Sequence, residues 1–216
     1  MTVPLAGGGI YSRRGDPRNV FPETIETDRL RLEAAHPEHV DLDACYRICS
    51  SDPGIDEVTE YVTWDTHETK RETLEFLERA REQFEEFEAA SYVIRPRDGE
   101  EGAGDIAGFG GFEVDWDRKT ANLGVWLRKR FWGRGYSAER AAALAEVAFD
   151  DLDLEIVAVS HLPDNDQSRR AIEKYVDRLG GRREGHLRNA IEFADGGVHD
   201  EVRYTISQAE WRAATE

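Results

Sequence analysis

One ten-residue run constrains the fold more than any other: Arg128-Lys129-Arg130-Phe131-Trp132-Gly133-Arg134-Gly135-Tyr136-Ser137. It links a strand pattern over residues 121–129 to a helical pattern over residues 136–150, with Ala141, Leu144, Ala145 and Ala148 inward. Two glycines let the chain take positive φ and let backbone approach a ligand closely. The helix start offers unpaired N–H groups and the positive end of a dipole. From Arg128 to Arg140, five basic residues stand against one acid, a local charge of +4. Together these features describe an anion site, and diphosphate is the chemistry that suits it. The plainer alternative is an ordinary strand-to-helix turn with exposed arginines. No Gly-Lys-Ser/Thr follows, so this is not a Walker loop. Gly108, Gly110 and Gly111 fall inside a strand pattern, where they permit a bulge or a close approach.

The rest of the chain has the opposite charge. Its 216 residues carry 28 basic and 45 acidic side chains, a net charge of −17. That balance argues against electrostatic binding to nucleic acid or an anionic membrane. Only Lys70, Lys119, Lys129 and Lys174 are lysines; the other basic residues are arginines. An acidic, lysine-poor surface resembles proteins that work in molar salt. The alternative is an acidic surface serving a cationic substrate. No apolar run is long enough to span a membrane, and residues 1–19 lack the apolar core of a signal peptide. A cytoplasmic location is expected, and two reduced cysteines, Cys45 and Cys49, fit it. The six histidines show no metal-ligand spacing, so no metal is expected; His161, just past an apolar strand, is the one to watch.

Residues 1–22 are rich in Gly, Pro and Arg and read as a flexible or peripherally packed extension, with order beginning at Glu23. Residues 23–216 read as one domain. Residues 27–33 alternate as a first strand, and a helix is expected from His36 with Val40, Ala44 and Ile48 inward. Residues 55–65 read as a helical turn plus loop. A long acidic helix is expected over residues 66–89, with Leu74, Leu77, Ala80, Phe84 and Phe87 inward. Strands follow at 91–95, 105–115 and 121–129, then the helix from Tyr136 and an apolar strand over 154–160. A helix over 166–179, strands at 182–193 and 201–206, and a last helix over 207–215 complete the order. The expectation is an α/β (α+β) fold: a mixed, mostly antiparallel sheet of about seven strands flanked by helices.

Arg130-x-x-Gly133-x-Gly135 resembles the coenzyme A loop of the GNAT superfamily of N-acetyltransferases. Other segments resemble its RimJ/RimL branch: Thr27 to Leu32, Glu57 to Trp64, Gly124 to Leu127, Asn165-x-x-Ser168 with Glu173-Lys174, Glu184 to Arg188, and Asp200 to Trp211. The resemblance covers about residues 23–211 in the family's order. It implies transfer of an acetyl group from acetyl-CoA to a primary amine, either a peptide N-terminus or a small molecule, by a monomer or homodimer. In that fold two parallel strands splay apart and the pantetheine lies between them. Val125, Trp126 and Leu127 would then line the cofactor. Arg130, Gly133, Arg134, Gly135, Tyr136 and Ser137 would hold the diphosphate. Asn165 would bond the pantetheine, with Ser168 near the thioester.

The chemistry needs an uncharged amine and a proton for the departing thiolate. Many relatives carry Glu where this chain has Asn122, which cannot act as a base. Asn122 could orient a water toward a carboxylate on the neighbouring strand, such as Glu113. Many relatives place a catalytic Tyr where this chain has Ile172. Ser168 is then the expected thiolate proton donor and Tyr175 the alternative. Glu57, Tyr61 and Trp64 are expected in the acceptor wall, with residues 191–199 opposite. The departures at 122 and 172 keep a non-catalytic acyl-CoA-binding module in view, and the turn alone would also serve ATP or NAD.

Overall fold

The computed structural model describes residues 12–14, 20–194 and 196–215. Nine strands among them form one sheet: β1 Ser12–Arg14, β2 Thr24–Glu26, β3 Leu30–Ala34, β4 Ala89–Pro96, β5 Gly108–Asp115, β6 Thr120–Leu127, β7 Ile156–His161, β8 Arg182–Glu192 and β9 Val198–Ser207. The strand order is β1-β2-β3-β4-β5-β6-β7-β9-β8. Only β6 and β7 pair in parallel among the described strands; every other pair is antiparallel. The mixed, mostly antiparallel architecture agrees with expectation, but the count exceeds the expected seven.

The extra strands come from the N-terminal part. The alternation over residues 27–33 spans a turn, not one strand. Thr27 donates its amide to Leu30 C=O across that turn, and β2 and β3 pair on either side of it. Most of the expected flexible extension lies outside the described residues. Its end does not behave as an extension: Phe21 is completely buried, edge-on to Phe84 and Phe112, and Tyr92 donates its hydroxyl to Pro22 C=O. Ordered packing therefore starts before Glu23.

The helices form two layers. Helices α1 (Leu42–Ser51), α2 (Ile55–Thr59) and α3 (Lys70–Glu85) precede β4. Cys45, Ile48, Leu77 and Ala80 pack with Val93 and Phe109 in one apolar cluster. Helices α4 (Tyr136–Glu146) and α5 (Asp166–Arg178) cover the opposite face, where Ala141, Leu144, Ile172 and Val176 meet Leu32, Tyr92, Leu123 and Val157. Helix α6 (Gln208–Thr215) adds Trp211 against Phe149 on that side. Alternate residues of each strand point to opposite faces, so one sheet separates the two cores. Cys45 and Cys49 are free, buried thiols.

Local chemistry moves several boundaries. Asp41, whose side chain accepts from Ala44 N–H, starts α1 five residues after the expected His36. Helix α3 begins where Thr69 accepts from Glu72 N–H, and the Glu72 carboxylate accepts in return from the Thr69 hydroxyl and from Glu68 N–H. Its helical spacing overruns at the other end. Phe87 has φ of 61° and is 39% exposed, so it ends the helix instead of joining the apolar stripe. Thr73 is buried within that stripe, while Leu74 is only half-buried. Helix α4 ends in a π-helical turn over Val147–Asp151.

Removing the buried Phe21 ring should cost about 3–5 kcal/mol. Urea unfolding of Phe21→Ala measures this; an unchanged midpoint would show that the segment before β2 does not belong to the core.

Candidate active site

The site begins with the parallel pair. β6 and β7 stay in register from Thr120↔Ile156 to Leu123↔Val159 and then part. Four further residues of β6, Gly124 to Leu127, pair only with β5. The bond from Arg128 N–H to Ala107 C=O, 2.8 Å, sets the phase of the β5–β6 ladder. Bonds alternate in an antiparallel pair, so Trp126 and Gly124 exchange bonds with β5, whereas Val125 and Leu127 turn their backbone groups to the open side. The Leu127 carbonyl already accepts from Trp132 Nε1 at 2.7 Å. Val125 therefore offers both an N–H and a C=O to the gap, and Leu127 offers its N–H.

Trp126 does not belong to this edge. Its ring stacks on Phe109 at 5.3 Å and meets Trp64 at 5.1 Å in the cluster beneath α3. The two tryptophans tie the segment after α2 to the sheet.

The loop after β6 is built on Phe131. Its ring is 1% exposed and carries the guanidinium groups of Arg130 at 4.5 Å and Arg134 at 5.1 Å. Gly133 and Gly135 have φ of 75° and 81°, so the chain turns left-handed twice before α4. No side chain caps the helix, because Gly135 occupies the N-cap. The amides of Gly133, Arg134, Gly135, Tyr136 and Ser137 find no acceptor among the described residues. The remaining edge of the loop is anchored. Glu139 accepts from the Thr27 hydroxyl at 2.5 Å and from Arg29 N–H at 2.8 Å, and Arg29 donates to Arg134 C=O at 3.0 Å. Tyr136 is buried and donates to Glu100 at 2.7 Å.

The local positive charge does not survive in the structure as free charge. Arg128 pairs with Asp52, Lys129 with Glu57, Arg130 with Asp105 and Arg134 with Glu101. The Arg128–Asp52 pair is largely buried, with side chains 14% and 10% exposed. What the loop has left to offer an anion is five backbone amides and a helix dipole. Arg140, the fifth base, is completely buried with no carboxylate partner among the described residues.

On the other side of the gap, Asn165 caps α5 by accepting from Ser168 N–H at 2.9 Å. Its carbonyl oxygen is committed, which leaves its NH2 group for a ligand. Tyr61 lies near Asp164 and Asp166 at the start of α5; its hydroxyl is held above the usual tyrosine range by a hydrogen bond to Glu60. Trp64 is packing and Glu57 is an ion-pair partner. Glu113 and Asn122 are direct cross-strand neighbours, as expected. Arg203 on β9 donates to Asn122 Oδ1 at 3.3 Å and lies 3.9 Å from Glu201. Local sequence carries no sign of that contact, since Asn122 and Arg203 are 81 residues apart.

His161, the last residue of β7, is buried. Its Nδ1 lies 2.8 Å from Leu162 C=O, its Nε2 lies 3.4 Å from the Tyr204 hydroxyl, and that hydroxyl donates to Glu173 at 3.3 Å. Tyr175 is buried, and desolvation pushes its hydroxyl up to about 12. The described residues contain no His/Cys/Asp/Glu group able to hold a metal ion.

A sheet that opens between two parallel strands, beside a helix start with unused amides, suits a long phosphorylated cofactor bound edge-on. The family follows from comparison: the acetyltransferase (GNAT) domain profile matches residues 29–175, and the chain belongs to that family. YdaF of Bacillus subtilis, named as a proposed ribosomal N-acetyltransferase, is 32% identical over 98 residues, 45% of this chain and 51% of that protein. That match spans about half of YdaF. The N-acetyltransferase p20 of Bacillus licheniformis, itself uncharacterised, is 26% identical over 88% of this chain and 98% of its own. An acetyltransferase structure from T. thermophilus superposes with TM-score 0.71 at 28% identity, over 90% of this chain and 94% of that one. No helix among the described residues is long and apolar enough to cross a membrane.

Asp52→Ala should destabilise the fold by about 3–5 kcal/mol, because it strands a buried guanidinium. Asp52→Ala with Arg128→Met should recover part of that loss in a denaturant titration; a double variant as unstable as the single one would contradict the pairing.

Proposed function

We propose that this chain transfers the acetyl group of acetyl-CoA to a primary amine. The observation that carries the reading is the row of five acceptor-free amides, Gly133 to Ser137, aligned with the open edge of β6. A diphosphate at that row would accept bonds the protein cannot satisfy itself. A pantetheine running from there along Val125 and Leu127 would act as an added strand between β6 and β7. The MccE acetyltransferase, which shares the fold at TM-score 0.71 and 19% identity over 88% of this chain and 98% of its own, has been crystallised with acetyl-CoA and AMP.

When bound, acetyl-CoA supplies a thioester carbonyl and a thiolate leaving group. The chain's residues divide the remaining work. Gly133, Arg134, Gly135, Tyr136 and Ser137 hold phosphate through backbone, with the Arg130 and Arg134 side chains fixing the loop around Phe131. Asn165 offers its amide NH2 to the pantetheine. Ser168, in the first turn of α5, is the proton donor for the sulfur. Asn122, held by Arg203, orients a water between the acceptor nitrogen and Glu113, which takes the amine proton. The acceptor wall is Tyr61 with the β8–β9 hairpin.

Gly135→Glu adds a side chain where φ is 81° and places a carboxylate in the phosphate position. Calorimetry should show loss of acetyl-CoA binding with the fold intact; unchanged affinity would refute the loop assignment. Ser168→Ala should lower kcat by about a hundredfold at nearly constant acetyl-CoA affinity. A rate equal to wild type would remove Ser168 from the mechanism. Thiol release with a panel of amines in molar KCl tests the activity itself; saturable binding without turnover for any amine would favour a sensing module.

A further inference from the structure

Four glycines lie in β5 and β6, and packing demands three of them. A Cβ at Gly108 would meet Trp126 C=O at 2.2 Å, one at Gly111 would meet Ala90 C=O at 1.9 Å, and one at Gly110 would meet Arg140 Cδ at 2.9 Å. Gly124 is different. Among the described residues an added Cβ there meets nothing within 4 Å, and its φ is not in the left-handed region. It is exposed, although it belongs to an interior strand of the sheet. Neither backbone nor packing asks for glycine at 124. A glycine inside a strand is less stable than alanine, so one that the fold does not require points to something else approaching the backbone.

The position of Gly124 says what that is. It is the first β6 residue beyond the parallel register with β7, so it stands at the closed end of the opening. Strand alternation turns it to the same face as Asn122 and Trp126. Leu123 and Val125 face the other way, into the core beneath α4 and α5. The space above Gly124 therefore lies outside the plane of the sheet, on the face turned away from α4 and α5. Asn122, with Arg203 donating to its Oδ1 at 3.3 Å, borders it on one side. Trp126, with the Trp64 ring at 5.1 Å, borders it on the other. A ligand lying edge-on along Val125 and Leu127 stays in the plane of the sheet and does not fill this space.

We infer that Gly124 is the floor of the acceptor's entry and a specificity-determining residue, setting how bulky a group can pass. The inference rests on the acetyl-CoA reading above. With diphosphate beyond Leu127, the thioester end of the pantetheine reaches the closed end of the opening. The amine comes in perpendicular to it, across the bare backbone at 124. There the nitrogen bonds to the thioester carbon, and the C–S bond breaks with its electron pair left on sulfur. The amine proton leaves through the water at Asn122 to Glu113, and the sulfur takes its proton from Ser168. A side chain at 124 stands in the acceptor's path and leaves the cofactor's path clear.

The test uses a probe that needs no known acceptor: CoA alkylated at sulfur with N-butylbromoacetamide. Its arm carries a carbonyl and an amide nitrogen where the acetyl group and the acceptor amine would meet. Calorimetry on the full chain compares this conjugate with CoA. Wild type should bind the conjugate at least as tightly as CoA. Gly124→Leu should bind CoA like wild type and the conjugate at least about tenfold more weakly. Gly124→Ala, which keeps the same φ and meets nothing, should melt no lower than wild type. Equal affinity of Gly124→Leu for both ligands, loss of both together, a wild type that takes CoA but not the conjugate, or a Gly124→Ala that melts lower would each overturn the inference. If Gly124→Leu does not fold, Gly124→Val makes the same comparison with a side chain that strands favour. A wild type that binds neither ligand refutes the acetyl-CoA reading instead.

Discussion

The separation of β6 from β7 after Val159 is the constraint on which the rest of this molecule depends. A parallel pair normally continues until one strand ends. Here β6 runs on for four residues with one edge unpaired, in the interior of a nine-stranded sheet. Unpaired strand edges inside a protein are costly unless something bonds to them. Trp132 satisfies one carbonyl, and a strand-like ligand would satisfy the others. The same divergence lets α4 and α5 approach the sheet from one side and brings the start of α4 to the end of the open edge. Unused amides and a groove for an extended chain are thus consequences of one topological event.

Charge plays a smaller direct role than the composition suggests. Four of the five cations between residues 128 and 140 are spent on carboxylates supplied by other segments, and the fifth is buried. Those ion pairs fix the loop against α1, α2 and the β4–β5 turn. Anion recognition by backbone suits a strongly acidic chain, because bonds at short range are screened less by salt than long-range attraction is. A net charge of −17 is compatible with a phosphate ligand for this reason.

Elements with strong local signals are legible in the sequence: the glycine turn into α4, the apolar β7, the β5–β6 hairpin and the pairing of Glu113 with Asn122. The glycines at 108, 110 and 111 are places of close approach, as their setting in a strand pattern implies; a Cβ at Gly111 would collide with Ala90 C=O. What escapes a reading of the sequence depends on partners distant in the chain. Thr27 has the pattern of a strand residue because its hydroxyl partner, Glu139, is 112 residues away. Phe87 keeps helical spacing although its φ is 61°. The arginines read as free because Asp52 and Asp105 lie 76 and 25 residues from the groups they neutralise. Trp126 sits inside the right motif but on the face of β6 that alternation turns away from the gap. Arg203 carries no local pattern at all.

Amide hydrogen exchange reads the placement of the cofactor residue by residue. Adding acetyl-CoA should slow exchange at Val125, at Leu127 and along Gly133 to Ser137, and leave Trp126 and Gly124, already bonded to β5, unchanged. Protection confined to other segments, or none at saturating acetyl-CoA, would contradict the claim that this opening in the sheet is where the cofactor lies.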